Sequence, residues 1–227
     1  MIIGIDGPAG AGKSTAPPRL PTRLGLRYLD TAAMPRALTM RALREHIDLD
    51  DEERLASVAA DMEVGMEHVS RRRPPYRVFM DGEDITSAIR SREVSAHVSQ
   101  VSSHPLVRSE MVNKQRRMAA GGGVVVEGRD VGTVVFPRAD VKFFITASVK
   151  ERARRRHREM AKDGHDVSLH TIQQEMVRRD YLDTTRQYNP LKRAPDALLI
   201  DTTGENVSQV VGRLSSLVKE RAAREAR

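Results

Sequence analysis

The chain has 227 residues, 39% of them hydrophobic and 30% charged, and a formal net charge of +7. That length supports one sizeable α/β core, and the absence of cysteine excludes disulfides, thiolate catalysis and zinc–thiolate sites. No apolar run approaches the ~18 residues of a membrane span, and the N-terminus lacks a basic-then-apolar leader pattern, so the expectation is a soluble cytoplasmic protein.

Five short apolar runs, at 2–6, 26–29, 124–127, 141–146 and 197–201, read as buried parallel strands. Helical patterns lie between them, most clearly at 105–119, 149–162, 169–181 and 207–226. Strands alternating with helices imply a parallel sheet covered on both faces. The stretch 67–84 breaks this rhythm. It alternates polar and apolar residues and reaches an Asp81-Gly82 turn signal, which predicts a small antiparallel element inserted in the α/β core. The run Arg71-Arg72-Arg73 reads as a solvated loop face.

Directly after the first strand stands Gly7-Pro8-Ala9-Gly10-Ala11-Gly12-Lys13-Ser14, a phosphate-binding loop in the strand–loop–helix context that the motif needs. Glycines let the backbone close around phosphate oxygens, and the amides and the following helix N-terminus supply positive potential. Lys13 adds a point charge, and the Ser14 hydroxyl can ligate Mg²⁺. Arginine dominates the basic residues, 31 against 7 lysines. Its planar fork suits phosphate recognition, and GC-rich coding produces the same bias. Nucleic acid would also answer the charge, but aromatics are 4% with no Trp, so stacking platforms are scarce and no nucleic-acid partner is expected.

Four further segments carry more: Asp30-Thr31-Ala32-Ala33-Met34-Pro35-Arg36; Asp81-Gly82-Glu83-Asp84-Ile85-Thr86; Glu127-Gly128-Arg129-Asp130-Val131-Gly132-Thr133-Val134-Val135-Phe136-Pro137; and Arg179-Asp180 through Thr185-Arg186 to Pro190-Leu191-Lys192. In this order behind a phosphate loop, the chain closely resembles the bacterial cytidylate kinase family over nearly its whole length. The Glu127–Pro137 segment is the most specific part. The resemblance implies a P-loop three-layer fold with a five-stranded parallel sheet, a small NMP-binding insertion and a helical lid. The core would comprise about 1–30, 99–150 and 168–227, with the NMP-binding region at about 31–98 and the lid at about 151–167.

It also implies phosphorylation of CMP or dCMP by ATP with Mg²⁺, by a monomer without membrane partners. Lys13, Arg129, Asp130 and Arg186 would stand at the reacting groups. ATP would engage Gly7 to Ser14, Thr15, and Arg152 and Arg156 of an arginine-rich lid helix. Arg36, Arg129 and Arg186 match positions gripping the CMP phosphate. Arg108, Asp130 and Ser99 match those reading the cytosine edge, Arg179 and Asp183 lie near the ribose, and Thr31 stands beside the same site. Glu127 would hold a water on the ion or be a plain strand-end polar residue.

The chain departs from the family behind the loop. Pro17, Pro18 and Pro21 stand where an unbroken helix is expected, so that helix should be kinked or shortened, or the chain much less stable. Ala32 replaces a usual Gly and Pro35 a usual Tyr. Ala32 would be strained if φ > 0 were needed, and Pro35 is harmless in a first helical turn. These residues leave a catalytically impaired nucleotide-binding relative as the alternative.

Overall fold

The computed structural model describes every residue except 14, 21–23, 70–75, 163 and 226–227. Ser14, Pro21 and the Arg71–Arg73 run, each assigned a place above, therefore lie outside the described residues. Five parallel strands form one sheet: β1 (Ile2–Asp6), β2 (Arg27–Asp30), β6 (Val124–Gly128), β7 (Val141–Thr146) and β8 (Leu198–Asp201). Their order is β2-β6-β1-β7-β8, so β1 and its loop emerge from the middle of the sheet.

Side chains alternate across a strand, and β6 shows what that does here. Val124 and Val126 join one apolar cluster, with Met34, Leu38, Leu55, Ile89 and Met111. Val125 joins the other, with Ile3, Ile5, Phe143, Ile200 and Leu214. Both faces are therefore dry, as parallel sheets require. The first cluster is supplied by α1 (Ala33–Arg44), α2 (Glu52–Asp61), α3 (Arg92–Val101) and α4 (Pro105–Met118). The second is closed by α7 (Val207–Glu225). A hairpin of α5 (Val149–Lys162) and α6 (Leu169–Thr185) keeps its own small cluster, Ala153, Met160, Ile172 and Met176.

The antiparallel insertion contains β3 (Val64–His68), β4 (Tyr76–Met80) and β5 (Glu83–Asp84). Asp81 (φ 51°) and Gly82 (φ 86°) form the two-residue turn between β4 and β5, with both residues at positive φ as a type I′ turn demands. Tyr76 anchors the insertion to the sheet: its hydroxyl donates to Asp30 Oδ2 (2.8 Å) and accepts from Arg90 Nη2 (2.7 Å).

Behind the phosphate loop the described residues depart from a regular α-helix. Thr15 N and Ala16 N both donate to Gly12 O (3.1 and 3.0 Å), and then Pro17–Arg19 form a 3₁₀ turn. The Pro17 and Pro18 rings are buried. Proline has no amide to continue an i→i−4 ladder, so the chain tightens instead. Ala32 sits at φ −71° and is unstrained. Pro35 is the third residue of α1, where no intrahelical partner exists for an amide, so its missing donor costs nothing.

Candidate active site

Gly7 shows why the loop follows the strand so tightly. At φ 149° it lies against β7, where a Cβ would collide with the Ile145 carbonyl. Gly10 (φ 73°) and Gly12 (φ 98°) complete the cradle. Lys13 is folded over the loop, with Nζ donating to Gly7 O (2.6 Å) and Pro8 O (2.8 Å). Burial first, and then the Arg129 charge, push its pKa down to about 7 against the pull of Glu127 and Asp6. Nearby, Asp6 is pushed up to about 6 by burial, although amides of Gly132 and Val131 favour its charged form.

The first turns of α5 close on the loop. Arg152 is buried, donating through Nη1 to Ala9 O (3.1 Å) and pairing with Asp180 of α6 (2.6 Å). Arg155, not singled out from the sequence, approaches Ala11 O (3.4 Å) and donates to Thr202 O (2.6 Å). Arg156 instead pairs at the surface with Glu159 (3.5 Å), while its charge still weighs on Arg179. Arg154 and Arg158 are exposed.

Beside the loop lies a small cleft, partly open to solvent. Thr31, Arg36, Ser99, Arg108, Arg129, Asp130, Arg179, Asp183 and Arg186 all line it, although they come from five separate segments. Five guanidiniums there face two carboxylates. Arg108 pairs with Asp130, both buried. Asp183 accepts from Arg129 Nε (3.0 Å) and Ser99 Oγ (3.2 Å), so Ser99 is tied to the same carboxylate as Arg129. Burial would raise the Asp183 pKa, but Arg129 and Arg179 outweigh it and hold the group below its ordinary value.

The remaining cations are less well balanced. Arg36 donates to Ile89 O (2.7 Å) and Ser95 Oγ (3.1 Å); burial and then Arg179 lower its pKa to about 9. Arg179 is lowered to about 10 by burial and Arg129, and Arg186 to about 10 by burial and Arg108. Such mutual repulsion is relieved by an anion bound among them. Buried Arg108 Nε, Arg179 Nε and Gln115 Oε1 have no hydrogen-bond partner, which also marks the cleft as built for a polar ligand. Gln115 and Asp6 are the residues here that sequence reasoning missed.

The cytidylate kinase family model matches residues 3–220. The chain belongs to the cytidylate kinase family. Among curated members, it is 48% identical to the cytidylate kinase of Geobacillus kaustophilus, over 97% of each chain. It is 48% identical to that of Desulfitobacterium hafniense, over 97% of this chain and 94% of the relative. For the Bacillus subtilis enzyme the identity is 44%, over 98% of each. A solved structure of an uncharacterized protein from Eubacterium ventriosum shares the fold, with a TM-score of 0.52 at 13% identity and coverage of 97% and 98%. In this chain the Glu127–Pro137 segment supplies the end of β6, then Arg129 and Asp130 at the cleft, then a π-type turn, Val131–Val135.

Proposed function

We propose that this chain transfers the γ-phosphoryl group of ATP to CMP and dCMP, giving CDP and dCDP. The observation that carries this reading is the cleft itself: an arginine excess that suits a phosphate, and a buried Arg108–Asp130 pair in the same lining that suits a base edge. The impaired alternative has no support from Ala32 or Pro35, both unstrained, nor from the relatives.

Arg36, Arg129 and Arg186 would bind the acceptor phosphate and neutralise it, so that its oxygen can approach an anionic γ-phosphoryl group. Asp130 would accept from the exocyclic amine of cytosine while Arg108 donates to N3 and the ring carbonyl. The Arg108 pairing leaves carboxylate lone pairs free for that contact. Uracil would set its carbonyl against Asp130, two acceptors facing each other. Arg179 and Asp183 would serve the ribose. Lys13 and the loop amides would hold the outer phosphates, and Arg152 and Arg156 on the α5–α6 hairpin would cover them and exclude water. Arg155, by its place on the loop, would join them. Mg²⁺ would be held through the Ser14 hydroxyl and a water on Glu127, hard oxygen donors of the kind it prefers, and would supply further charge neutralisation on the phosphates. The lid would be about 151–167, which is α5 and the segment after it, and the acceptor-binding region about 31–98, which holds α1, α2 and the antiparallel insertion. Among the described residues no helix is long and apolar enough to cross a membrane.

Coupled ADP release with CMP, dCMP, UMP and AMP tests the reading. Turnover with CMP and dCMP well above UMP and AMP is expected; ATP binding without turnover of either cytidine nucleotide would overturn it. Asp130→Ala should lose activity with CMP while ATP binding is kept, and equal loss of both would remove its base-reading role.

A further inference from the structure

Asp6 ends β1, immediately before Gly7, and none of the roles above uses it. Its carboxylate is 4% exposed. Val131 N donates to Oδ1 and Gly132 N to Oδ2, each at 2.7 Å. These two successive amides belong to the turn that directly follows Asp130. The approach is close: a Cβ on Gly132 would stand 3.3 Å from Asp6 Oδ2 and 3.1 Å from Lys142 Cδ. A carboxylate buried this far is costly without partners, and here two backbone donors supply them. Two oxygens gripping consecutive amides also fix the rotation of the turn, which a single acceptor would leave free.

The chain after Asp6 is the phosphate loop, and the turn that its carboxylate grips directly follows Arg129 and Asp130. We propose that Asp6 is a positioning residue that locks the base-reading turn to the phosphate loop, setting Arg129 and Asp130 in register with Lys13. The proposal rests on the kinase reading above. It makes the two substrate sites one rigid unit at the point where their phosphates must meet.

The test compares wild type with Asp6→Asn and Gly132→Ala. Asn keeps one acceptor oxygen but sets its amide against a backbone N–H. Gly132 does not have positive φ, so Ala suits the backbone, and its methyl crowds Lys142 Cδ and Asp6 Oδ2, which strains the grip of the carboxylate on the turn while keeping its charge. Misplacement of reacting groups by an ångström can cost about 10²-fold, so kcat/KM for CMP should fall by that order in Asp6→Asn. The preference for CMP over UMP should fall about tenfold in both variants, because Asp130 loses its fixed place. The KM for ATP should change little. A lowered melting temperature with an unchanged CMP/UMP preference would overturn the proposal, reducing Asp6 to a structural residue. If Asp6→Asn does not fold, the preference measured in Gly132→Ala decides. Wild type that fails to phosphorylate CMP would sink the kinase reading. Wild type that succeeds, with both variants as selective as it is, sinks only this inference.

Discussion

Lys13 is the cation on which the phosphate loop depends, yet in the free protein its ammonium is disfavoured. Burial and the charge of Arg129 bring its pKa down to about 7, while Glu127 and Asp6 oppose them only in part. The free side chain is therefore expected to lose its proton far more readily than an exposed lysine as pH rises above about 7. Polyphosphate oxygens favour the ammonium, so ATP binding raises the pKa and must draw a proton from solution. The sign follows: uptake, not release, with ATP affinity weakening as pH rises above about 7. Titration calorimetry at pH 8 in buffers of different ionisation enthalpy should show uptake approaching one proton per ATP. Lys13→Met should abolish it. No uptake in wild type would mean that Lys13 is already charged in the free loop. Lys13 could be assigned from the sequence because its motif is contiguous. Asp6 and Gln115 could not, since their partners lie 125 and 84 residues away and no local pattern announces them.

At the scale of elements, the sequence pattern was most informative where one physical rule acts alone. All five core strands stand within a residue or two of their apolar runs, and the Asp81-Gly82 signal forms the turn it implies. Three helices, α1 to α3, were not assigned from the sequence, although the apolar periodicity of α2 and α3 is stronger than that of α4 and α6. Two of them also have local start signals. The Asp51 side chain accepts from Arg54 N (2.9 Å), and Ser91 from Val94 N (3.2 Å), both N-caps of the usual kind. The segment behind the loop shows the opposite case, where proline overrides a helical context. A regular helix with an interior proline loses about 3 kcal/mol, and the 3₁₀ turn at Pro17–Arg19 avoids only part of that. Replacing Pro17 and Pro18 by Ala restores two backbone donors but also loosens the unfolded chain by about 0.4–1 kcal/mol per site. A net gain of about 2 kcal/mol for the double variant is expected, raising the melting midpoint by about 4–8 °C in a chain of this size. Calorimetry decides it, and an unchanged or lower midpoint would mean that the buried proline rings pack better than a helix would.

For the whole molecule, the arginine-lined cleft is where charge works against stability. Its walls come from α1, α3, α4, the end of β6 and α6, so closing it around a ligand ties together elements far apart in the chain. Without a ligand, Arg36, Arg179 and Arg186 all have lowered pKa values, from burial and from one another's charge. Each such shift means that holding these cations together makes the charged form less stable than in water. A phosphate monoester supplies the missing negative charge, whereas the base and ribose alone do not. Ligand at about 100 times its Kd stabilises a protein by about 2.7 kcal/mol, which corresponds to roughly 5–11 °C at this chain length. CMP should therefore raise the melting midpoint by that amount, and cytidine at the same concentration by much less. Arg36→Ala should shrink the CMP effect, because one of the phosphate's partners is gone. Equal shifts from CMP and cytidine would place the recognition energy on the base and remove the phosphate from the role given to these arginines.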